Sequence, residues 1–185
     1  MLREPALPLG KRVTPSNFLL EAMEHSSEIS LGTEKAKSEF IIAPILNEIH
    51  RNNADRISLF SGYAFNVDSK LGLNGRCDFL FTLGRKAVAI NNPLFCIVEA
   101  KDDAPDHENN YAQCIAEMYA ARLFNQQHNN TALNTIYGAV SNGQGWIFIK
   151  LEGNQAFIGS KQPYSPQNLP ELLGALQSIV DVYKK

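Results

Sequence analysis

The chain has 185 residues, of which 44% are apolar and 19% charged, and its formal net charge is −2. That length suits one globular domain with a sizeable core, and no apolar run approaches the roughly 20 residues that span a bilayer. The charge balance excludes the bulk basicity of a nucleic-acid coat protein but leaves room for a local basic patch.

Residues 1–14 carry Pro and the charges Arg3, Glu4, Lys11 and Arg12, with no apolar core segment of the kind a signal peptide needs. They read as an extended N-terminal arm on a single domain covering 15–185, and the cytoplasm is the expected compartment. Thr14-Pro15 predicts an N-cap followed by proline at the first helical position. The helix over 15–25 would bury Phe18, Leu19, Ala22 and Met23. Thr33 predicts the start of a longer helix to about Arg51, with Pro44 as a kink. Glu34, Glu39 and Glu48 ride on it. Solvent is the plain expectation for Glu34 and Glu48, and Glu39 is left open.

β-branched and aromatic content predicts strands over 56–66 and 75–83, with 87–90 either a short strand or a loop. A strand over 95–101 is apolar on both faces until Glu99, which suggests a central, doubly covered position. After the polar loop 102–109, which holds His107, a helix is predicted over 110–126 with Ala112, Ile115, Ala116, Tyr119, Ala120 and Leu123 as its apolar stripe. Strands over 134–141, 145–151 and 154–159 and a closing amphipathic helix over 165–183 complete the order. The whole predicts an α/β fold, with a central mixed β-sheet flanked by helices. Cys77, Cys96 and Cys114 form no metal-binding or disulfide pattern, and Cys77 and Cys96 read as small core residues. Trp146 and Tyr137 read the same way.

Charges inside apolar strands need a reason, because ionised groups are almost never buried unless paired or metal-bound. Side chains two apart on a strand share a face, so Glu99 and Lys101 point the same way, roughly 7 Å apart along the chain. On the strand before, Arg76, Asp78, Leu80 and Thr82 share one face. Cys77, Phe79, Phe81 and Leu83 occupy the other, which is expected to be the buried one. If the strands pair with Asp78 beside Glu99, two carboxylates and a lysine converge. Two carboxylates and the carbonyl oxygen of Ala100 make a hard oxygen site suited to Mg²⁺, or Mn²⁺ in its place. Such an ion lowers the pKa of a bound water and stabilises a phosphoryl oxygen, and a nearby lysine can orient or deprotonate that water.

This pattern resembles the PD-(D/E)xK nuclease superfamily, also called restriction-endonuclease-like. The resemblance rests on Gly75-x-x-Asp78, then Glu99-Ala100-Lys101 ending an apolar strand, then Gln113 on the following helix. Cys77 stands where the family name has proline. The resemblance implies a core of helix, three strands, helix and strand over about 33–151. It also implies Asp78 and Glu99 as metal ligands with Ala100, and Lys101 and Gln113 as catalytic partners. Glu39 matches the helix carboxylate that often joins the metal. The implied activity is Mg²⁺-dependent cleavage of nucleic acid, DNA in the first instance, in the manner of restriction-subunit nuclease domains. A homodimer or larger restriction-type assembly is the implied state, since cutting two strands takes two sites.

Other readings stand beside it. The same fold can serve as a catalytically inactive module for nucleic-acid binding or subunit interaction, and the E-x-K can be accidental in an unrelated α/β protein. Glu117, one turn after Gln113, is expected to be solvated, as are Asp102 and Asp103, and His107 reads as a surface histidine. Arg76, Arg85, Lys86, Lys35, Lys37 and Lys101 would contact a nucleic-acid backbone if the fold brings them together.

Overall fold

A computed structural model describes residues 7, 11–87, 89–90, 94–105, 108–130, 133–159 and 163–183. His107 and most of residues 1–10 lie outside that set. The chain forms α1 (Asn17–Ser26), α2 (Glu34–Lys37), a π-helical turn (Ser38–Ile42) and α3 (Ala43–Asn52). Strands β1 (Ile57–Asp68), β2 (Leu73–Leu83) and β3 (Leu94–Ala100) follow, then α4 (Glu108–Gln127). The chain closes with β4 (Thr135–Ser141), β5 (Trp146–Glu152), β6 (Gln155–Ile158) and α5 (Leu169–Val182). Among the described residues no helix is long and apolar enough to cross a membrane.

The six strands form one sheet in sequence order. All neighbours are antiparallel except β3 and β4, which run parallel and are joined by α4 as the crossover. A parallel pair needs such a long connection, whereas antiparallel pairs close through short turns. All seven residues of β3 are buried, because helices cover both faces of the sheet. One face packs on α1, α3 and α5 through Phe79, Phe81, Phe95 and Val98, and the other on α4 through Leu80, Ile97 and Val140.

Three local features depart from the sequence expectation. Helix α1 is capped by Ser16, whose hydroxyl accepts from the Leu19 N–H at 3.2 Å, so Thr14 and Pro15 precede the helix. The predicted long helix is continuous but widens before Pro44: the Ala43 N–H bonds the Ser38 carbonyl five residues back. A proline has no N–H to give and its ring crowds the carbonyl four residues back, so one wide turn accommodates it. Glu48 is not solvated but 2% exposed. It accepts from the backbone N–H and hydroxyl of Ser16 at 2.9 and 2.8 Å and pairs with Arg51, tying α1 to α3. Residues 87, 89 and 90 form no strand.

Helix α4 buries a different stripe from the one expected. Tyr111, Cys114, Met118, Ala121 and Asn125 face the sheet, while Ala112 and Ala116 are exposed. Apolar residues occur all round this helix, so periodicity alone does not choose a face. Two contacts do. Asn125 is fully buried because its amide satisfies both backbone groups of Leu94, accepting from the N–H at 2.9 Å and donating to the carbonyl at 2.7 Å. Gly138 on β4 lets the helix come close: a Cβ there would lie 2.5 Å from Met118 Sδ and 2.9 Å from Cys114 Sγ.

At the start of the chain, the described part of the N-terminal arm lies along α5. Val13 donates to the Pro170 carbonyl at 2.9 Å, and Leu7 and Val13 pack on the core.

Gly138→Ala should therefore push α4 off the sheet and destabilise the protein by about 1–3 kcal/mol, a fall of roughly 2–4 °C in Tm per kcal/mol for a chain this size. An unchanged melting curve would mean that α4 has slack against β4.

Candidate active site

Register brings the site together. β2 pairs with β3 through Phe79–Val98, Leu80–Ile97 and Phe81–Cys96. One further step along the same register puts Asp78 opposite Glu99. Asp78 Oδ2 accepts from the Ala100 N–H at 2.9 Å, so the aspartate is fastened to the end of β3. The expectation that only the Cys77–Phe81 face of β2 is buried is corrected here: Leu80 and Thr82 on the other face are fully buried. Cys77 packs in the same cluster as Leu80, on the α4 side. Gly62, across from this point on β1, has φ of 59°, a backbone turn that a regular strand does not contain.

Glu99 is 2% exposed. Its Oε1 receives the Lys101 ammonium at 2.7 Å. Lys101 Nζ also donates to Gln113 Oε1 at 2.8 Å, and Gln113 Nε2 donates to Glu117 Oε1 at 3.3 Å. Strand geometry sets the first link, since the two residues share a face. The third link follows from the helix, where residues four apart are neighbours. The second link crosses from strand end to helix and depends on the close seating of α4. The Lys101 N–H bonds the Ser141 carbonyl at 2.8 Å, holding the end of β3 to β4. Lys37 donates to the Asp102 carbonyl and carboxylate at 3.0 and 3.2 Å, which holds the loop just beyond.

The electrostatics follow from crowding carboxylates out of water. Burial pushes the Glu99 carboxyl up to about 8, with the Glu117 and Asp78 charges adding to it and the Lys101 hydrogen bond opposing it. Glu117 is likewise raised, first by burial, while the Gln113 hydrogen bond works against the rise. Burial alone would lower Lys101, but the hydrogen bond and charge of Glu99, backed by Glu34 and Asp78, leave it raised, so it is an ammonium at neutral pH. Burial and the Glu117 charge push the Cys77 thiol up, so Cys77 carries no thiolate.

Glu99 Oε2 and Glu117 Oε2 are both buried with no donor at good hydrogen-bond geometry. The Glu117 carboxyl lies within reach of the Glu99 carboxyl and the Cys77 thiol, so a shared proton also answers them. Such an acceptor is costly unless a proton or a cation answers it. No set of three or more His, Cys, Asp or Glu among the described residues is arranged to hold a metal as the side chains stand. Mg²⁺ does not require one, because it commonly takes one or two carboxylates and completes its shell with water and substrate phosphate. Two orphaned oxygens, with Asp78 beside them, fit that requirement.

No family model, curated protein or solved structure matches the chain.

The fold brings Asp78, Glu99, Ala100, Lys101 and Gln113 to one spot. Glu39 stands outside these hydrogen bonds: it is exposed and pairs with Lys35 at 2.9 Å. Glu34, half-buried one turn earlier, is the helix carboxylate whose charge acts on Lys101. Glu117 was expected in solvent, but it closes the chain of hydrogen bonds. Its spacing of four from Gln113 was the available signal. Part of the basic set gathers: Lys37 holds Asp102, the residue after Lys101, and Arg76 lines one cleft with Gln113, which bonds Lys101. Lys35, Lys37 and Lys101 are each engaged by a carboxylate. Arg76 lies near the start of β2 and Arg85 beyond its end, roughly 30 Å away along an extended strand.

A pH dependence follows. Glu99 is raised from an ordinary value near 4.5 to about 8. Its neutral form is favoured by the fold, so its contribution to stability is complete below 4.5 and is lost as pH rises through about 8. In metal-free buffer the wild-type Tm should fall between pH 5 and 9, and Glu99→Gln should flatten that slope and melt higher at pH 9. Identical slopes for the two proteins would show that Glu99 is ionised throughout.

Proposed function

We propose that the protein is a divalent-metal-dependent nuclease that hydrolyses phosphodiester bonds in DNA, of the PD-(D/E)xK, restriction-endonuclease-like kind. One observation carries this reading: Asp78, Glu99, Lys101 and Gln113 converge from three successive elements and are linked through hydrogen bonds. The order of helix, three antiparallel strands, crossover helix and parallel strand agrees with the core that the resemblance implies, and so supports it.

In this reading Asp78 and Glu99 hold Mg²⁺ or Mn²⁺, with the Ala100 carbonyl as a further oxygen. Bound there, the ion supplies a Lewis acid for the phosphoryl oxygen and lowers the pKa of a water. Lys101 is held protonated by Glu99 and fixed by Gln113. It therefore orients the water and stabilises charge developing on the phosphate, rather than abstracting a proton. Gln113 acts through Lys101 and is a positioning residue. Glu117 keeps Gln113 in place, and Glu34 takes the supporting part that the sequence offered to Glu39.

The second reading, a non-catalytic module for nucleic-acid binding or subunit interaction, is favoured by one fact. Lys101 already neutralises one oxygen of Glu99, so the cluster can persist without an ion.

Purified protein should nick or cut DNA with Mg²⁺ or Mn²⁺ and not with EDTA. Asp78→Asn and Lys101→Gln should each lower the rate by about 100-fold or more with unchanged circular dichroism. Calorimetry should give a divalent-ion binding heat that Asp78→Asn removes. A wild-type protein with neither cleavage nor a binding heat belongs to the second reading.

A further inference from the structure

Beside the carboxylate cluster lies a cleft of about 220 Å³. One wall is the far end of the β1–β2 hairpin, with Gly72, Leu73, Asn74 and Gly75. The other is α4, with Gln113, Ala116, Glu117 and Ala120; Phe65 and Cys77 also line it, and Arg76 stands at its edge.

Three properties describe what it would hold. Glycines on one side and alanines on the other make a narrow slot, and a Cβ at Gly72 or Gly75 would meet open space. A flat ring fits such a slot, with Phe65 and Leu73 as apolar contacts. Polar groups then sit at its margins: Asn74 and Gln113 carry amides that can pair with the edge of a nucleobase. Finally, Arg76 is exposed and keeps guanidinium donors beyond the one given to the Gly62 carbonyl, so a phosphate can lie against it. The slot is continuous with the cluster, because Gln113 bonds Lys101 on one side and lines the slot on the other.

We infer that this cleft takes one unpaired nucleobase of a DNA strand, which makes single-stranded DNA the substrate class. This rests on the nuclease reading for its chemistry but not for its geometry. A base stacked in a duplex offers only its edges, so a cleft that takes the ring receives it only once it has left the stack. Lys35, Lys37 and Lys101 are each taken up by a carboxylate, which leaves few free cations to track a duplex, and a single strand needs only one active site.

The test measures binding of fluorescent 15-nucleotide single strands and matching duplexes in EDTA, where cleavage is blocked. Gly75→Leu fills the slot from the hairpin without backbone conflict, and Ala116→Leu fills it from the exposed face of α4. Wild-type protein should prefer the single strand, and each variant should lose about tenfold in single-strand affinity with an unchanged Tm. An oligonucleotide with an abasic site at the bound position should bind the wild type as weakly as the intact strand binds the variants. If both variants bind single strands like the wild type, or the wild type prefers duplex, the slot is not a base site. Loss of binding in the variants together with a wild type that never cuts DNA would keep the slot and overturn the nuclease. Metal-dependent cutting abolished by Asp78→Asn, with the variants still binding normally, would keep the nuclease and overturn the slot.

Discussion

Glu99 sits on a strand that has water on neither face. A carboxylate there must find a proton, a cation or a hydrogen-bond donor, and the rest of the site is arranged to supply one. Lys101 lies two residues on, where β3 leaves the sheet and a long side chain can turn back toward its neighbour. The ammonium needs a second acceptor, which Gln113 provides from α4. Gln113 in turn needs Glu117 to hold its amide. A single buried carboxyl thereby couples a strand end to a helix. Removing one partner of such a pair costs more than the pair itself contributes, because it strands the other charge out of water.

The sheet topology decides where this happens. Three antiparallel strands are followed by a parallel step from β3 to β4, and the crossover helix must pass over the sheet beside the carboxyl end of β3. Open sheets of this kind place their ligand sites at the carboxyl ends of parallel strands, where helix and strand termini leave a crevice. Here that crevice contains Lys101, Gln113 and Glu117. Gly138 sets how deep the helix sits, and Asn125 sets its rotation by occupying the unpaired backbone of Leu94. Residues far from any chemistry thus fix the distances within it.

Several helix carboxylates stand where the sequence pattern does not place them, for one physical reason. Glu48, Glu117 and Glu34 all lie on helices, where sequence offers periodicity but not rotation. Glu48 became a buried tie for Ser16 and Arg51 because α1 folds back over α3. Glu117 joined the cluster because α4 turned Tyr111, Cys114 and Met118 inward instead of Ala112 and Ile115. Glu34, rather than Glu39, came near Lys101, while the latter paired with Lys35 in solvent. On β3 period-two alternation assigns the shared face of Glu99 and Lys101 directly, whereas on β2 Cys77 packs with Leu80 on the α4 side.

The sequence by itself determined the elements and their order, the doubly covered β3, and the shared face of Glu99 and Lys101. All of these follow from local periodicity and from the cost of burying charge. Only the tertiary structure decided that Asp78 stands beside Glu99, because strand register is a pairing between segments that no single segment encodes. It also decided which face α4 buries and which of the basic residues come near the site. Both depend on close approaches between elements distant in sequence, which the local pattern leaves free.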